Sequence, residues 1–145
     1  MKEAFYSTNR KGALRGLHFQ CGKMQSKLVS CISGNIWDVV VDLRKDSPMF
    51  RKWQAFDLTG ENCNQVYVPV GCAHGFLTLE DAVVVYKCGE VFYPEGDEGI
   101  VWDDPDIGVE WPLKLAGGRE SLTLSNKDRQ LQSFERFVDI YGGFW

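Results

Sequence analysis

Short runs of β-branched and aromatic residues, separated by glycine, proline, asparagine and serine, recur along most of the chain. Seven of these runs predict strands, at 13–20, 27–33, 35–43, 53–58, 65–68, 75–79 and 83–87. Ser33-Gly34-Asn35 reads as a hairpin turn and Lys45-Asp46-Ser47-Pro48 as a loop, because these residues suit the backbone angles of turns. Strands this short, with no helical pattern between them, predict an antiparallel sandwich or barrel and not βαβ units. The pattern changes near the C-terminus. There Ser125-Asn126-Lys127-Asp128 resembles a helix start, and Leu131, Phe134 and Phe137 fall at helical spacing, which predicts a single helical stretch. Between strands and helix, Trp102-Asp103-Asp104-Pro105 and Trp111-Pro112 predict a rigid loop anchored by aromatic rings.

The chain has 145 residues, the size of one domain, and residues 1–145 are read as a single unit. A formal charge of −4 with no basic stripe argues against binding to nucleic acid or to a membrane surface. Apolar runs such as Val83-Val84-Val85-Tyr86 are too short to cross a bilayer, and Met1-Lys2-Glu3-Ala4 opens no secretory pattern, so a cytoplasmic location is expected. The five cysteines are odd in number and include no CxxC pair, which fits reduced thiols better than disulfides or a zinc site. Cys72, close to His74, has two readings, a catalytic thiol or a small buried residue, and the second is favoured.

Only two histidines occur, in Arg15-Gly16-Leu17-His18-Phe19-Gln20 and in Gly71-Cys72-Ala73-His74-Gly75-Phe76. Imidazole titrates close to neutrality and is the readiest general base, so two histidines among glycines, with an arginine nearby, point to proton transfer on an anionic ligand. Along a regular strand Arg15, Leu17 and Phe19 would face one way, and Gly16, His18 and Gln20 the other. A bulge at Gly16 would bring Arg15 and His18 onto one face. Taken singly, Arg15 reads as a surface ion pair, Lys27 and Tyr86 as structural residues near strand ends, and Asp128 as a first-turn carboxylate favoured by the helix dipole. With no H-x-H pair and no third histidine, metal-free acid–base chemistry is preferred over a metal site.

Several ordered segments then carry a specific resemblance. Lys11-Gly12-Ala13-Leu14-Arg15-Gly16-Leu17-His18-Phe19-Gln20, Lys27-Leu28-Val29, Asp38-Val39-Val40-Val41-Asp42-Leu43-Arg44-Lys45, Val68-Pro69-Val70-Gly71-Cys72-Ala73-His74-Gly75-Phe76, Tyr86-Lys87 and Ile100-Val101-Trp102-Asp103-Asp104-Pro105 resemble the dTDP-4-dehydrorhamnose 3,5-epimerase family. The resemblance implies an all-β fold, a cupin-type double-sheet jelly-roll barrel with a short C-terminal helical segment. It also implies a homodimer that works without metal or organic cofactor and inverts C3, C5 or both of a nucleotide-linked 4-keto-6-deoxy sugar through an enolate. By position, His18 matches the catalytic base and Asp128 its carboxylate partner. Tyr86 matches the acid on the opposite side of the sugar ring, and Lys27 with His74 matches the groups near the keto oxygen. Arg15 matches the arginine at the nucleotide phosphates, with Gln20 and Lys127 as further substrate-binding candidates.

Rhamnose-pathway members carry a longer stretch ahead of these motifs, part of which reaches across the dimer to the nucleotide. Here Glu3-Ala4-Phe5 stands where they have Gln-Asp-Asn, and Val91-Phe92-Tyr93 where two adjacent tyrosines are usual. The opening resembles a shorter subgroup tied to surface-polysaccharide sugars, some of whose members use GDP- or CDP-linked substrates, so recognition of the base is expected to differ. Two rival readings share the fold: a sugar-nucleotide 3,4-ketoisomerase, against which the retained Tyr86 argues, and a non-catalytic sugar-binding cupin.

Overall fold

A computed structural model of the chain describes residues Met1–Trp145. Its strands are β1 (Glu3–Asn9), β2 (Leu14–Gln20), β3 (Lys27–Asp42), β4 (Trp53–Thr59), β5 (Gln65–Val68), β6 (Cys72–Cys88) and β7 (Asp97–Gly99). Every strand pairing is antiparallel. β3 and β6 pair along almost their whole length, from Lys27 opposite Cys88 to Asp42 opposite Cys72. β1 continues the sheet beside the second half of β6 and β2 beside the first half, while β5 and β4 flank successive halves of β3. The result is the expected all-β, double-sheet jelly roll.

The two long strands correct one sequence expectation. Ser33-Gly34-Asn35 is not a hairpin turn; β3 runs through it, with register slips between Cys31 and Ile36. Residues suited to a turn also suit a bulge, and here β6 passes too close for any side chain at Gly34. A Cβ there would lie 2.1 Å from the Asp81 carbonyl oxygen, at a φ of +84°. β6 is likewise continuous across the gap between the two shorter strands predicted for it. The slips have a consequence for packing. Val29 and Cys31 face the barrel interior from odd positions, but beyond the bulges it is Ile36 and Val40 that do so, from even ones.

β1 and β7 escape the hydrophobic pattern. β1 carries apolar side chains on both faces, with Phe5 and Tyr6 exposed, and β7 is only Asp97-Glu98-Gly99. The predicted helical stretch divides into α1 (Asn126–Arg129) and α2 (Phe134–Tyr141). Each begins at its own capping serine: Ser125 accepts a hydrogen bond from the Asp128 amide and Ser133 one from the Arg136 amide, both at 3.1 Å.

Two apolar clusters result. One fills the barrel and includes Val29, Ile36, Leu58, Val68, Phe76 and Val84. The other lies between the opposite face of the sheet and the C-terminal third of the chain, where Phe19, Val39, Val41 and Leu77 meet Ile100, Phe134, Phe137 and Phe144. The tryptophan loop is anchored as expected, with Trp111 Nε1 donating to the Trp102 carbonyl at 2.9 Å. Phe144 docks on its own chain, its amide donating to Leu43 and its carbonyl accepting from Lys45, while Trp145 remains 53% exposed.

Phe137 is fully buried and packs on the rings of Phe19, Phe134, Tyr141 and Phe144. Phe137→Ala is expected to destabilise the fold by about 3–5 kcal/mol through lost burial and the cavity left behind. That lowers the thermal midpoint by roughly 6 °C or more. Leu115→Ala, at a side chain that is 62% exposed, should change stability by less than about 0.5 kcal/mol. Thermal unfolding followed by circular dichroism compares the two.

Candidate active site

The site is built where β2 leaves regular geometry. Leu14 pairs with Leu77 and Arg15 with Phe76, then the register slips before His18 pairs with His74. Gly16 occupies the slip at a φ of +120°, and a Cβ on it would sit 2.7 Å from the Cα of Gly75. Only glycine accepts both that angle and that approach. One inserted residue reverses the alternation, so Leu14, Leu17 and Phe19 join the core behind the sheet while Arg15, His18 and Gln20 face a pocket. The expected bulge is therefore present, and it is what places Arg15 and His18 together.

The pocket is a cleft of about 200 Å³ at the mouth of the barrel, and Ser7, Arg15, His18, Lys27, His74 and Tyr86 all line it. Asp128 stands behind the imidazole. His18 Nε2 lies 2.6 Å from Asp128 Oδ1, and because a carboxylate can only accept, the ring nitrogen donates. The second oxygen of Asp128 accepts the Gly16 amide at 3.2 Å. Burial alone would raise the pKa of this carboxyl. The hydrogen bonds from His18, Gly16 and Ser125, with the positive charge His18 carries when protonated, outweigh that and hold it below the usual aspartate range. The pairing leaves Nδ1 as the free nitrogen of His18.

A second imidazole–carboxylate pair stands next to the first. His74 Nε2 lies 2.7 Å from Asp38 Oδ1, with both residues buried. The pattern reading did not single out Asp38 as a site residue, although a carboxylate at an interior position of the apolar strand Ile36-Trp37-Asp38-Val39-Val40 was a usable signal. Its other oxygen has no hydrogen-bond partner.

Lys27, at the start of β3, projects into the same interior and makes no salt bridge or side-chain hydrogen bond. Burial lowers the pKa of its ammonium, partly opposed by Cys88, Asp97 and Asp38. Tyr86, from the second half of β6, is 7% exposed and stacks on Phe5 at a centroid distance of 4.5 Å. Burial pushes its phenol up to about 12, so it stays protonated at neutral pH. Its hydroxyl lies 3.3 Å from Ser7 Oγ.

The three substrate-binding candidates differ in what holds them. Arg15 donates through Nε to Asn9 Oδ1 at 2.6 Å and forms no ion pair. Gln20 faces the pocket, but its amide bonds the Lys23 and Val91 carbonyls and the Tyr93 amide, which fixes the wall. Lys127 is paired with Asp97, another lining residue. Cys72 packs in the barrel cluster without lining this pocket, and its thiol is pushed up to about 11 by burial, in keeping with a small buried residue. All five cysteines are unpaired. No group of three or more His, Cys, Asp or Glu side chains converges in a way that could hold a metal.

Comparison with known proteins identifies the family. The family model described as dTDP-4-dehydrorhamnose 3,5-epimerase matches residues 1–136. The dTDP-4-dehydrorhamnose 3,5-epimerase of Methanothermobacter thermautotrophicus is 51% identical over 124 residues, which cover 85% of this chain and 65% of that protein. The chain thus spans about two thirds of the length of that relative. Among solved structures, the rmlC epimerase of Mycobacterium tuberculosis superposes with a TM-score of 0.88 at 38% identity, over 97% of this chain and 69% of the other. The Legionella pneumophila dTDP-6-deoxy-D-glucose-3,5-epimerase, solved in complex with dTDP-4-keto-L-rhamnose, superposes with a TM-score of 0.85 at 39% identity, over 92% and 69%. With the family model spanning nearly all of its length, this chain belongs to the dTDP-4-dehydrorhamnose 3,5-epimerase family.

Proposed function

We propose that the protein is a cofactor-independent isomerase that inverts C3, C5 or both of a nucleotide-linked 4-keto-6-deoxy sugar. The observation that carries this reading is the convergence on one pocket of an oriented imidazole, an unpaired lysine and a protonated phenol. A hydrogen on carbon beside a ketone is acidic only because the carbanion spreads its charge onto oxygen. The reaction therefore needs a base at the carbon, positive charge or donors at the oxygen, and an acid that returns a proton from the other face.

In this reading the free Nδ1 of His18 removes the proton. Asp128 fixes the tautomer and stabilises the imidazolium that forms. Lys27, which no protein group neutralises, stabilises the enolate oxygen together with His74, and Tyr86 delivers a proton from the opposite side. General acid–base groups contribute roughly 10²–10⁴ in rate, and a positioned oxyanion donor about 10²–10³. Arg15 meets the phosphates through the guanidinium edge that Asn9 leaves free. A ketoisomerase would use similar base chemistry, but it has less need of an acid placed apart from the base.

The outer face of β1, β3 and β6 supports the homodimer as a second element of the proposal. Ala4, Tyr6, Ile32, Val83 and Val85 form an apolar surface there, with Tyr6 69% and Ile32 62% exposed. A second copy of the chain is the proposed occupant, with the enzyme acting in the cytoplasm.

Incubation in D₂O with dTDP-, GDP- and CDP-linked 4-keto-6-deoxy sugars, read by mass spectrometry and product NMR, tests the chemistry. One or two deuterons should enter with inversion of the labelled carbon. His18→Ala should lose exchange by roughly 10²-fold or more, and Tyr86→Phe should keep exchange while losing inversion. Turnover should decline as pH rises through a value below the ordinary lysine pKa of about 10.4, where Lys27 loses its charge, and Lys27→Arg should move that decline upward. Absence of exchange on every sugar would refute the proposal. For the dimer, light scattering should give twice the chain mass, falling to one chain mass in Ile32→Glu; a wild-type monomer would overturn it.

A further inference from the structure

β1 presents Phe5, Ser7 and Asn9 toward the barrel, opposite Tyr86, Val84 and Ala82 of β6. Asn9 is 5% exposed and does not line the pocket, yet it touches a residue on each of two sides of it. Its Oδ1 accepts from Arg15 Nε at 2.6 Å, and its Nδ2 donates to Ser7 Oγ at 3.0 Å and to the Ser7 carbonyl at 3.3 Å. Chemistry fixes the orientation of this amide: arginine has only donors, so the oxygen must face Arg15 and the nitrogen Ser7. Ser7 Oγ in turn lies 3.3 Å from the Tyr86 hydroxyl.

We propose that Asn9 is a positioning residue that sets, through one buried side-chain amide, both the direction of the Arg15 guanidinium and, by way of Ser7, the direction of the Tyr86 proton. With Nε held by Asn9, the two terminal nitrogens of Arg15 are turned to the pocket as a fork suited to phosphate oxygens. In this proposal Asn9 occupies one lone pair of Ser7 Oγ, and the Ser7 hydroxyl donates its proton to the Tyr86 oxygen, the other side-chain hydroxyl within its reach. Tyr86 then accepts from Ser7, and its own proton is free for the substrate. The chain Arg15–Asn9–Ser7–Tyr86 thereby joins the anion site to the acid. This inference rests on the acid role of Tyr86 proposed above, and it adds Asn9, a residue that does not line the pocket.

Two variants separate the arms. Ser7→Ala cuts only the Tyr86 arm: inversion should fall about tenfold relative to solvent exchange, with KM changed by less than about threefold. Asn9→Leu cuts both, so the same loss of inversion should come with a KM raised about tenfold, and with weaker binding of a nucleoside diphosphate by calorimetry. Asn9 makes no bond to Tyr86, so a displaced ¹³Cζ resonance of Tyr86 in Asn9→Leu, assigned by its absence in Tyr86→Phe, is the signature of the relay. A thermal midpoint within a few degrees of wild type establishes that each variant is folded; should Asn9→Leu fail to fold, Asn9→Ser takes its place. An unchanged Tyr86 resonance and an unchanged ratio of inversion to exchange in the Asn9 variant would overturn the inference. If wild type turns over no sugar, the proposed reaction fails, and the resonance and diphosphate affinity still decide the role of Asn9.

Discussion

The Asp128 carboxylate is the point on which the arrangement depends. One oxygen holds the imidazole of His18 and the other the amide of Gly16, so a single side chain pins both the bulge in β2 and the ring that the bulge presents. It also ties the segment beyond the sheet to the sheet itself, since Asp128 belongs to α1, whose first turn is capped by Ser125. Without the bulge, regular alternation would turn His18 away from Arg15 and into the apolar layer under α2. The cost of removing this carboxylate from water is offset by the hydrogen bonds it accepts, and it remains an anion. A fixed negative group behind the ring and an open nitrogen in front is the arrangement a general base requires.

The electrostatics of the pocket divide by wall. Carboxylates back both imidazoles, whereas Lys27 and Tyr86 come from parts of β3 and β6 where no protein anion pairs with them. Burial acts on these two in opposite senses. It disfavours the charge on Lys27 and the loss of the proton from Tyr86. A developing oxyanion would relieve the first, and a developing carbanion would draw on the second. In the proposed reaction, each perturbed group is eased by the charge that appears beside it.

How much of this the sequence reveals varies with the physics involved. The strands of the core were legible because half-buried sheet imposes a period of two, and the bulge was legible because glycine interrupts that period at Gly16. The continuity of β3 through Gly34 was not, since the same residues serve a hairpin or a bulge, and only the passage of β6 alongside decides between them. β7 was hidden because Asp-Glu-Gly joins the sheet through backbone hydrogen bonds alone. Among site residues, His18, His74 and Arg15 stood out by type and context. Lys27, Tyr86 and Asp128 looked ordinary until the family resemblance singled them out, because their significance lies in long-range convergence. Asp38, Ser7 and Asn9 emerged only from three-dimensional contacts.

The central claim is that Asp128 holds His18 in the one tautomer that leaves a basic nitrogen open to substrate. Nitrogen-15 NMR of the labelled imidazole tests it directly, with His18 assigned by its loss in His18→Ala. Wild type should carry its proton on Nε2 with Nδ1 bare, and Asp128→Ala should show a mixture of tautomers. A proton residing on Nδ1 in the wild-type protein would contradict the account, because the nitrogen facing the substrate would then have no lone pair to accept a proton.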